Sequence, residues 1–395
     1  MRPIRCIHVI TRLILGGAQE NTLLTVEGLN RLGRYRTTLV TGPAIGPEGD
    51  LIERARRNGV DLRVLPRLRR EISPWRDPLA FRELCRIFRA ERPEIVHTHS
   101  SKAGILGRLA ARRAGVPLVI HTIHGPPFHP RQSRAANWLF RRAEKLVAPG
   151  TSRFISVADA MTDAFVKARI APREKFVTIY SGMEVEPFLR EDGARARVRA
   201  ELGIGEDKIV IGKIARLFHL KGHEDVLRAF VGVTPRFPDA RLLFVGDGIL
   251  RDKLAALAAR LNAREKVIFA GLVRAERIPD MIKAMDLLVH ASLREGLARV
   301  LPQALLSGRP VVSYDVDGAR EVVREGETGF LVAPGSVDGL REAMLRALAD
   351  LPAARRMAIR GRALFTDAFR AETMVRRIAG VYEEELGRIA RGSGD

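Results

Sequence analysis

The sequence predicts an α/β protein made of two Rossmann-like, doubly wound parallel-sheet domains that face each other across a cleft. Three observations lead there. Short apolar, β-rich runs alternate with amphipathic helical stretches through most of the 395 residues, the pattern of βαβ units with right-handed crossovers. The alternation breaks once, at 181–193, where Gly, Pro and acidic residues gather, and then restarts. The hydrophobic content of 46% suffices for two cores of ordinary size.

In the first half, strands are read at 4–10, 36–40, 62–65, 95–97, 118–121, 154–157 and 177–179, with helices at 19–32, 79–90, 102–114 and 134–146. The strands are continuous apolar runs, as in a sheet covered on both faces. In the second half, strands are read at 209–214, 241–245, 267–270, 287–290 and 310–313, with helices starting at His223 and Leu250. Residues 352–392 read as helices. The expected division is a domain over 1–185, a second over 186–370, and a C-terminal helix, 371–395, packing back toward the first domain. Sheets of this kind bind ligands beyond the carboxyl ends of their strands.

Composition narrows the setting. Two cysteines, Cys6 and Cys85, exclude a disulfide scaffold and a cysteine-based zinc module and fit a reducing compartment. No signal peptide is visible, and the longest uncharged window, between Arg113 and Arg131, holds three histidines and four prolines. That window cannot span a bilayer. A cytoplasmic protein, soluble or resting on the inner face of the membrane, is expected. The net charge of +21 is uneven: residues 1–190 carry 33 basic against 17 acidic side chains, the remainder 34 against 29. The first half therefore attracts an anionic partner, unless the arginines simply decorate a solvated surface. The basic segment 131–145 places Trp138, Leu139 and Phe140 among Arg134, Arg141, Arg142 and Lys145. It could lie on an anionic membrane or turn its apolar residues onto the sheet.

Several motifs sit where strands end. Leu15-Gly16-Gly17-Ala18 follows the first strand and opens a helix, where backbone can approach an anion. Gly212-Lys213-Ile214-Ala215-Arg216-Leu217 ends a strand and leads into Lys221-Gly222, so Arg216 and Lys221 could grip a diphosphate, one as a fork and the other as a point charge. Phe244-Val245-Gly246-Asp247-Gly248 and Phe269-Ala270-Gly271-Leu272-Val273 are further strand-end turns. The richest block runs from His290 through Arg294-Glu295-Gly296-Leu297-Ala298 to Gln303-Ala304, followed by Gly308-Arg309-Pro310-Val311-Val312 and Asp317-Gly318-Ala319-Arg320-Glu321.

In these motifs and their order, the chain resembles the retaining glycosyltransferases of family 4, whose fold is GT-B. In that family E-G-x-G-x-x-x-x-E-A leads into G-x-P-V-V and G-G-x-x-E. The resemblance covers nearly the whole length, and includes a Ser-Gly-Met-Glu turn at 181–184. It implies an acceptor-side domain followed by a nucleotide-sugar domain, and metal-independent transfer of a sugar from a nucleoside-diphosphate sugar to a hydroxyl of a saccharide or lipid-linked acceptor. It implies roles too. Arg216 and Lys221 bind the diphosphate. Glu295 binds hydroxyls of the moving sugar beside the N–H groups of Leu297 and Ala298. Gln303 faces the ribose, main chain near Leu272 meets the base, and Gly246 and Glu321 belong to the donor site. His124 stands near the reacting centre, and Gly17 lies under the phosphate. No cofactor or metal is expected, and family habit points to cell-envelope or exopolysaccharide assembly.

Two positions depart from the family pattern. Gln303 replaces the second glutamate, removing a charge, and Ala298 replaces a glycine, which costs free energy if that position needs positive φ. Asp315-Val316-Asp317 has the D-x-D form of metal-dependent transferases but sits in a second-domain loop. The histidines at 97, 99, 121, 124 and 129 fit core packing or acceptor lining better than zinc. Neither a P-loop nor a nucleophile elbow is present. The competing reading is a non-catalytic binder of anionic polymer or nucleic acid, although no nucleic-acid module is recognisable and none is expected as a partner. A sugar-binding relative without turnover is the other alternative.

Overall fold

The computed structural model describes residues 2–45 and 49–392, so the outermost positions of the expected terminal segments, 1 and 393–395, lie outside the described residues. The chain separates into two compact units, Met1–Met183 with Ala368–Asp395, and Glu184–Asp367.

The first unit holds seven strands: β1 (Ile4–Ile10), β2 (Tyr35–Thr41), β3 (Asp61–Val64), β4 (Ile95–His99), β5 (Leu118–Ile123), β6 (Arg153–Ser156) and β7 (Phe176–Thr178). They form one parallel sheet in the order β3-β2-β1-β4-β5-β6-β7. The order reverses between β1 and β4, the switch point where such sheets open a crevice. Side chains alternate across a strand, and here the alternation sorts the core. Val9, Val96 and Val119 face the helices Arg76–Glu91 and Ser101–Ala114. Cys6, Ile95, Leu118 and Ile120 face the other way, onto the C-terminal helix Ala371–Gly392. That helix packs against the first helix, Gly17–Arg31, so closely that a Cβ on Gly28 would lie 2.4 Å from a methyl of Val375.

The second unit holds β8 (Ile209–Ile214), β9 (Ala240–Val245), β10 (Val267–Gly271), β11 (Leu287–His290), β12 (Val311–Tyr314) and β13 (Phe330–Val332). They form a parallel sheet ordered β10-β9-β8-β11-β12-β13, with its switch point between β8 and β11. The sequence reading omitted β13. It has three residues, too few for any periodicity, and is recruited by pairing with β12 through Ser313↔Leu331.

The basic helix spans Arg134–Val147 and is anchored through one face only. Its Glu144 is buried against Arg108, whose Nη2 lies 2.7 Å from the carboxylate. The expectation that its apolar residues could turn onto the sheet fails for Trp138, which is 61% exposed, and for Leu139, whereas Phe140 is half-buried; Leu146 is 64% exposed. The buried ion pair fixes the face that turns inward, and the tryptophan falls opposite it. No described helix is long and apolar enough to cross a membrane.

Candidate active site

In the second unit the polar side chains gather at the switch point. Gly222, in a left-handed conformation (φ +67°), lets the loop after β8 lie flat on the end of β11, since a Cβ there would come within 1.9 Å of the Ala291 carbonyl oxygen. This close approach brings Lys221 Nζ to 2.5 Å from Glu295 Oε1, with both side chains 22% exposed. Gly246 does the same for the neighbouring turn. Its φ is +133°, and a Cβ would stand 2.2 Å from the Ala215 carbonyl oxygen. Leu217 N–H donates to the Asp247 carbonyl at 2.9 Å, tying the two loops together. Arg216 lies on the same loop with its guanidinium 5.0 Å from the centre of the Phe218 ring.

Glu295 is held from behind. Its backbone N–H donates to Asp317 Oδ2 at 2.8 Å, and Asp317 takes a left-handed φ of 52° to reach it. His290 Nε2 stands 3.6 Å from Glu295 Oε1, a polar approach longer than a formed hydrogen bond. Burial raises the Glu295 carboxyl pKa, but His290 and the Lys221 ammonium lower it further, so it stays ionised. Burial pushes His290 down to about 4. Directly behind lies Lys213, fully buried, its Nζ without a hydrogen-bond partner among the described residues. Burial and the nearby Lys221 cation push its pKa down to about 7.

The other second-unit positions that the resemblance implicates lie in segments that follow the strands. Leu297 and Ala298 are buried and run into the helix Val300–Leu306, which carries half-buried Gln303. Leu272 is 59% exposed just beyond β10, and half-buried Glu321 lies on the turn of helix Ala319–Val322. The glycine-like conformation expected to cost Ala298 free energy is not adopted there. Among the described residues near the site, the left-handed non-glycine positions are Asp317 and Leu220. Asp315 is engaged by Arg320 and Asp317 by the Glu295 N–H, so both acids of the D-x-D form are committed to the loop itself.

In the first unit, Gly17 opens the helix at the end of β1, and His124 follows β5. His97, His99 and His121 are buried and belong to the sheet interior. The sequence reading missed His8, which joins His97 and His99 in a cluster where one ring nitrogen from each lies within 4.8 Å of the other two. Parallel register places His8 beside His97 and His97 beside Ile120. Burial drives His8 down to about 3 and holds His97 and His99 well below the ordinary histidine range, so all three are neutral. It also missed Tyr382, delivered to the same cluster by the C-terminal helix, and gave Lys213 no role. The available signals were a lysine inside an apolar strand and a histidine in the first strand.

Comparison with known proteins agrees with this geometry unit by unit. A model described as "Glycosyl transferase 4-like domain" matches residues 16–182, and one described as "Glycosyl transferases group 1" matches 194–364. The chain belongs to the family 4 glycosyltransferases. Among its relatives is the Escherichia coli UDP-Gal:alpha-D-GlcNAc-diphosphoundecaprenol alpha-1,3-galactosyltransferase, 28% identical over 350 residues and 88% of each chain. A D-inositol 3-phosphate glycosyltransferase of Streptomyces avermitilis is 30% identical over 73% of this chain and 65% of its own. In fold the glycosyltransferase is similar to Anabaena HepE in complex with UDP-glucose, with a TM-score of 0.82 at 22% identity, covering 96% of this chain and 100% of the other. It is similar also to sucrose-phosphate synthase of Thermosynechococcus elongatus, with a TM-score of 0.81 at 19% identity over 98% and 100%. The architecture is GT-B.

Proposed function

We propose that this glycosyltransferase is a retaining, metal-independent enzyme that moves a hexosyl group from a uridine-diphosphate sugar to a hydroxyl of a saccharide or lipid-linked acceptor in envelope or exopolysaccharide assembly. The observation that carries the reading is the Lys221–Glu295 pair at the second unit's switch point. As the glycosidic bond breaks, the nucleoside diphosphate leaves with negative charge. Lys221 and Arg216 supply the compensating positive charge, which can serve in place of a metal. The ionised Glu295 accepts hydrogen bonds from sugar hydroxyls, and His124 receives another hydroxyl from the acceptor-side unit. Gln303 meets the ribose as a neutral amide. No protein nucleophile is assigned. The choice of uridine follows the donor named for the Escherichia coli relative, and a diphosphate-bearing lipid acceptor suits the basic first half.

Charge and exposure on the helix Arg134–Val147 support a peripheral seat on an anionic membrane. Trp138 and Leu146 point outward among arginines, and the Arg142 guanidinium lies 5.5 Å from the centre of the Trp138 ring. An amphipathic helix of this kind sits at the headgroup level.

The test is a melting-temperature panel of UDP, GDP, ADP and their sugar conjugates on wild type and Lys221→Ala, with EDTA present. A ligand far above its Kd should add a few kcal/mol of apparent stability. Uridine nucleotides should raise the melting temperature of wild type and not of the variant, and the transferred sugar's anomeric configuration should be retained by NMR. Failure of every nucleotide to shift a folded wild type would reject the assignment.

A further inference from the structure

Three buried histidines of the first unit, His8, His97 and His99, belong to one unbroken line of hydrogen bonds that reaches His124, whereas His121 pairs with Thr98 instead. Thr122 Oγ1 lies 2.7 Å from His97 Nε2. His97 Nδ1 lies 2.5 Å from the Tyr382 hydroxyl, and that hydroxyl lies 3.4 Å from His8 Nε2. His8 Nδ1 stands 3.0 Å from His99 Nε2, and His99 Nδ1 stands 3.2 Å from His124 Nε2. Strand geometry assembles this line. His97 and His99 lie two apart on β4 and so share a face, His8 is level with His97, and Thr122 is level with His99. The C-terminal helix covers that face and inserts Tyr382, which is fully buried beside Cys6.

A metal is the obvious alternative for three clustered histidines. All six ring nitrogens of His8, His97 and His99 are already engaged within the line. A cation would have to displace them, and the 3.0 Å and 3.2 Å separations are those of hydrogen bonds between imidazoles.

A neutral imidazole donates through one nitrogen and accepts through the other. Tyr382 has a single proton to give, so donation to one of its two histidine neighbours fixes the direction of every other bond in the line. Tyr382 provides that direction. Hydroxyl donors make shorter bonds than N–H donors, and the phenol stands at 2.5 Å from His97 against 3.4 Å from His8. The phenol proton thus goes to His97 Nδ1, and His97 donates Nε2–H to Thr122. On the other side, the Tyr382 oxygen accepts Nε2–H from His8. His8 Nδ1 accepts Nε2–H from His99, and His99 Nδ1 accepts Nε2–H from His124.

We propose that Tyr382, His8, His97 and His99 are positioning residues whose hydrogen-bonded line fixes His124 as its Nε2–H tautomer and turns Nδ1 into the acceptor for a hydroxyl of the transferred sugar. The sugar contact rests on the assignment of His124 made above, whereas the tautomer does not. A tyrosine at the far end of the chain in sequence thereby sets the hydrogen-bonding polarity of a residue after β5.

Long-range 1H–15N spectra of the histidine rings, recorded on the full chain, test the line directly. Wild type should show His124 protonated at Nε2 alone. Tyr382→Phe removes the hydroxyl with little change of shape, and His8→Phe interrupts the line at a second place. Either substitution should give His124 a mixture of tautomers. In Tyr382→Phe the turnover number should fall roughly 10–100-fold, as when a partner orienting an imidazole is lost, with donor KM unchanged. An Nδ1–H tautomer in wild type, or an Nε2–H tautomer that persists in both variants, would overturn the relay. If His124→Ala turns over like wild type while both substitutions still mix the tautomers, the relay stands and the sugar contact is overturned.

Discussion

Each unit buries a cluster of histidines and partners at its switch point, and the two clusters are built on opposite principles. In the first unit the line from Thr122 to His124 is closed: every ring nitrogen of His8, His97 and His99 has a hydrogen-bond partner. In the second unit Lys213 Nζ, both ring nitrogens of His223 and of His290, and the Ser292 hydroxyl have none among the described residues. A satisfied buried network rigidifies its surroundings, whereas buried unpaired groups carry their desolvation cost unrelieved. The closed cluster fixes a geometry, whereas the open one leaves neutral imidazoles and an easily deprotonated lysine unpaired behind Lys221 and Glu295. Stability is given up beside the Lys221–Glu295 pair and retained where an orientation is kept.

The contrast can be broken from either side. The largest effect should come from Lys221→Ala, which removes the cation paired with Glu295. Turnover should fall on the order of 10²–10³ by the scale for deleting one positioned electrostatic group, and wild-type rates in a steady-state transfer assay would refute its role.

Acid should act next, and more on the first unit, where burial holds His8, His97, His99 and His121 neutral, than on the second, where it holds His223 and His290. Histidine has an ordinary pKa of 6.5, and burial lowers His8 to about 3, so below 6.5 the unfolded chain binds protons that the native one refuses. The stabilisation from neutral burial is complete above 6.5 and is lost as pH falls toward about 3. Proteolysis during a pH titration should open the first unit before the second, and His8→Phe should flatten the dependence.

In the open cluster, Lys213→Met should stabilise the protein by about 1–3 kcal/mol near neutral pH, because it removes an unpaired buried cation. It should weaken donor binding at the same time. Lys213 loses its proton easily, with a pKa falling from 10.5 to about 7 on folding. The penalty it imposes therefore grows as pH falls from 10.5 to about 7 and is constant below. Denaturant melts of both proteins across that range should converge at the alkaline end. The smallest change belongs to Tyr382→Phe, which should cost about 1 kcal/mol of stability by the same melts. Its sign is opposite to that of Lys213→Met, and equal signs would remove the distinction between the clusters.

Much of this was legible in the sequence, and the omissions have physical causes. Strands 4–10, 209–214 and 287–290 coincide with β1, β8 and β11, because long apolar runs between strong helix patterns leave little choice. The approach of Lys221 to Glu295 was implied only by motif order, since 74 residues separate them. Local patterns could not find the line through His8 and Tyr382. It depends on parallel register between β1 and β4, and on a helix that docks over that face and brings in a tyrosine 285 residues beyond His97. Lys213 was passed over because a lysine in a strand reads as solvated until the sheet order shows β8 in the interior.

The return of Ala371–Gly392 to the first unit means that this unit encloses the second in the order of the chain. On the ribosome, β1 to β7 emerge long before the helix that completes their core. Until Met374, Ile378 and Tyr382 arrive, the face of the sheet bearing Cys6, Ile95 and Leu118 lacks its cover. The first unit's core is thus completed by residues that follow the whole of the second unit in the chain.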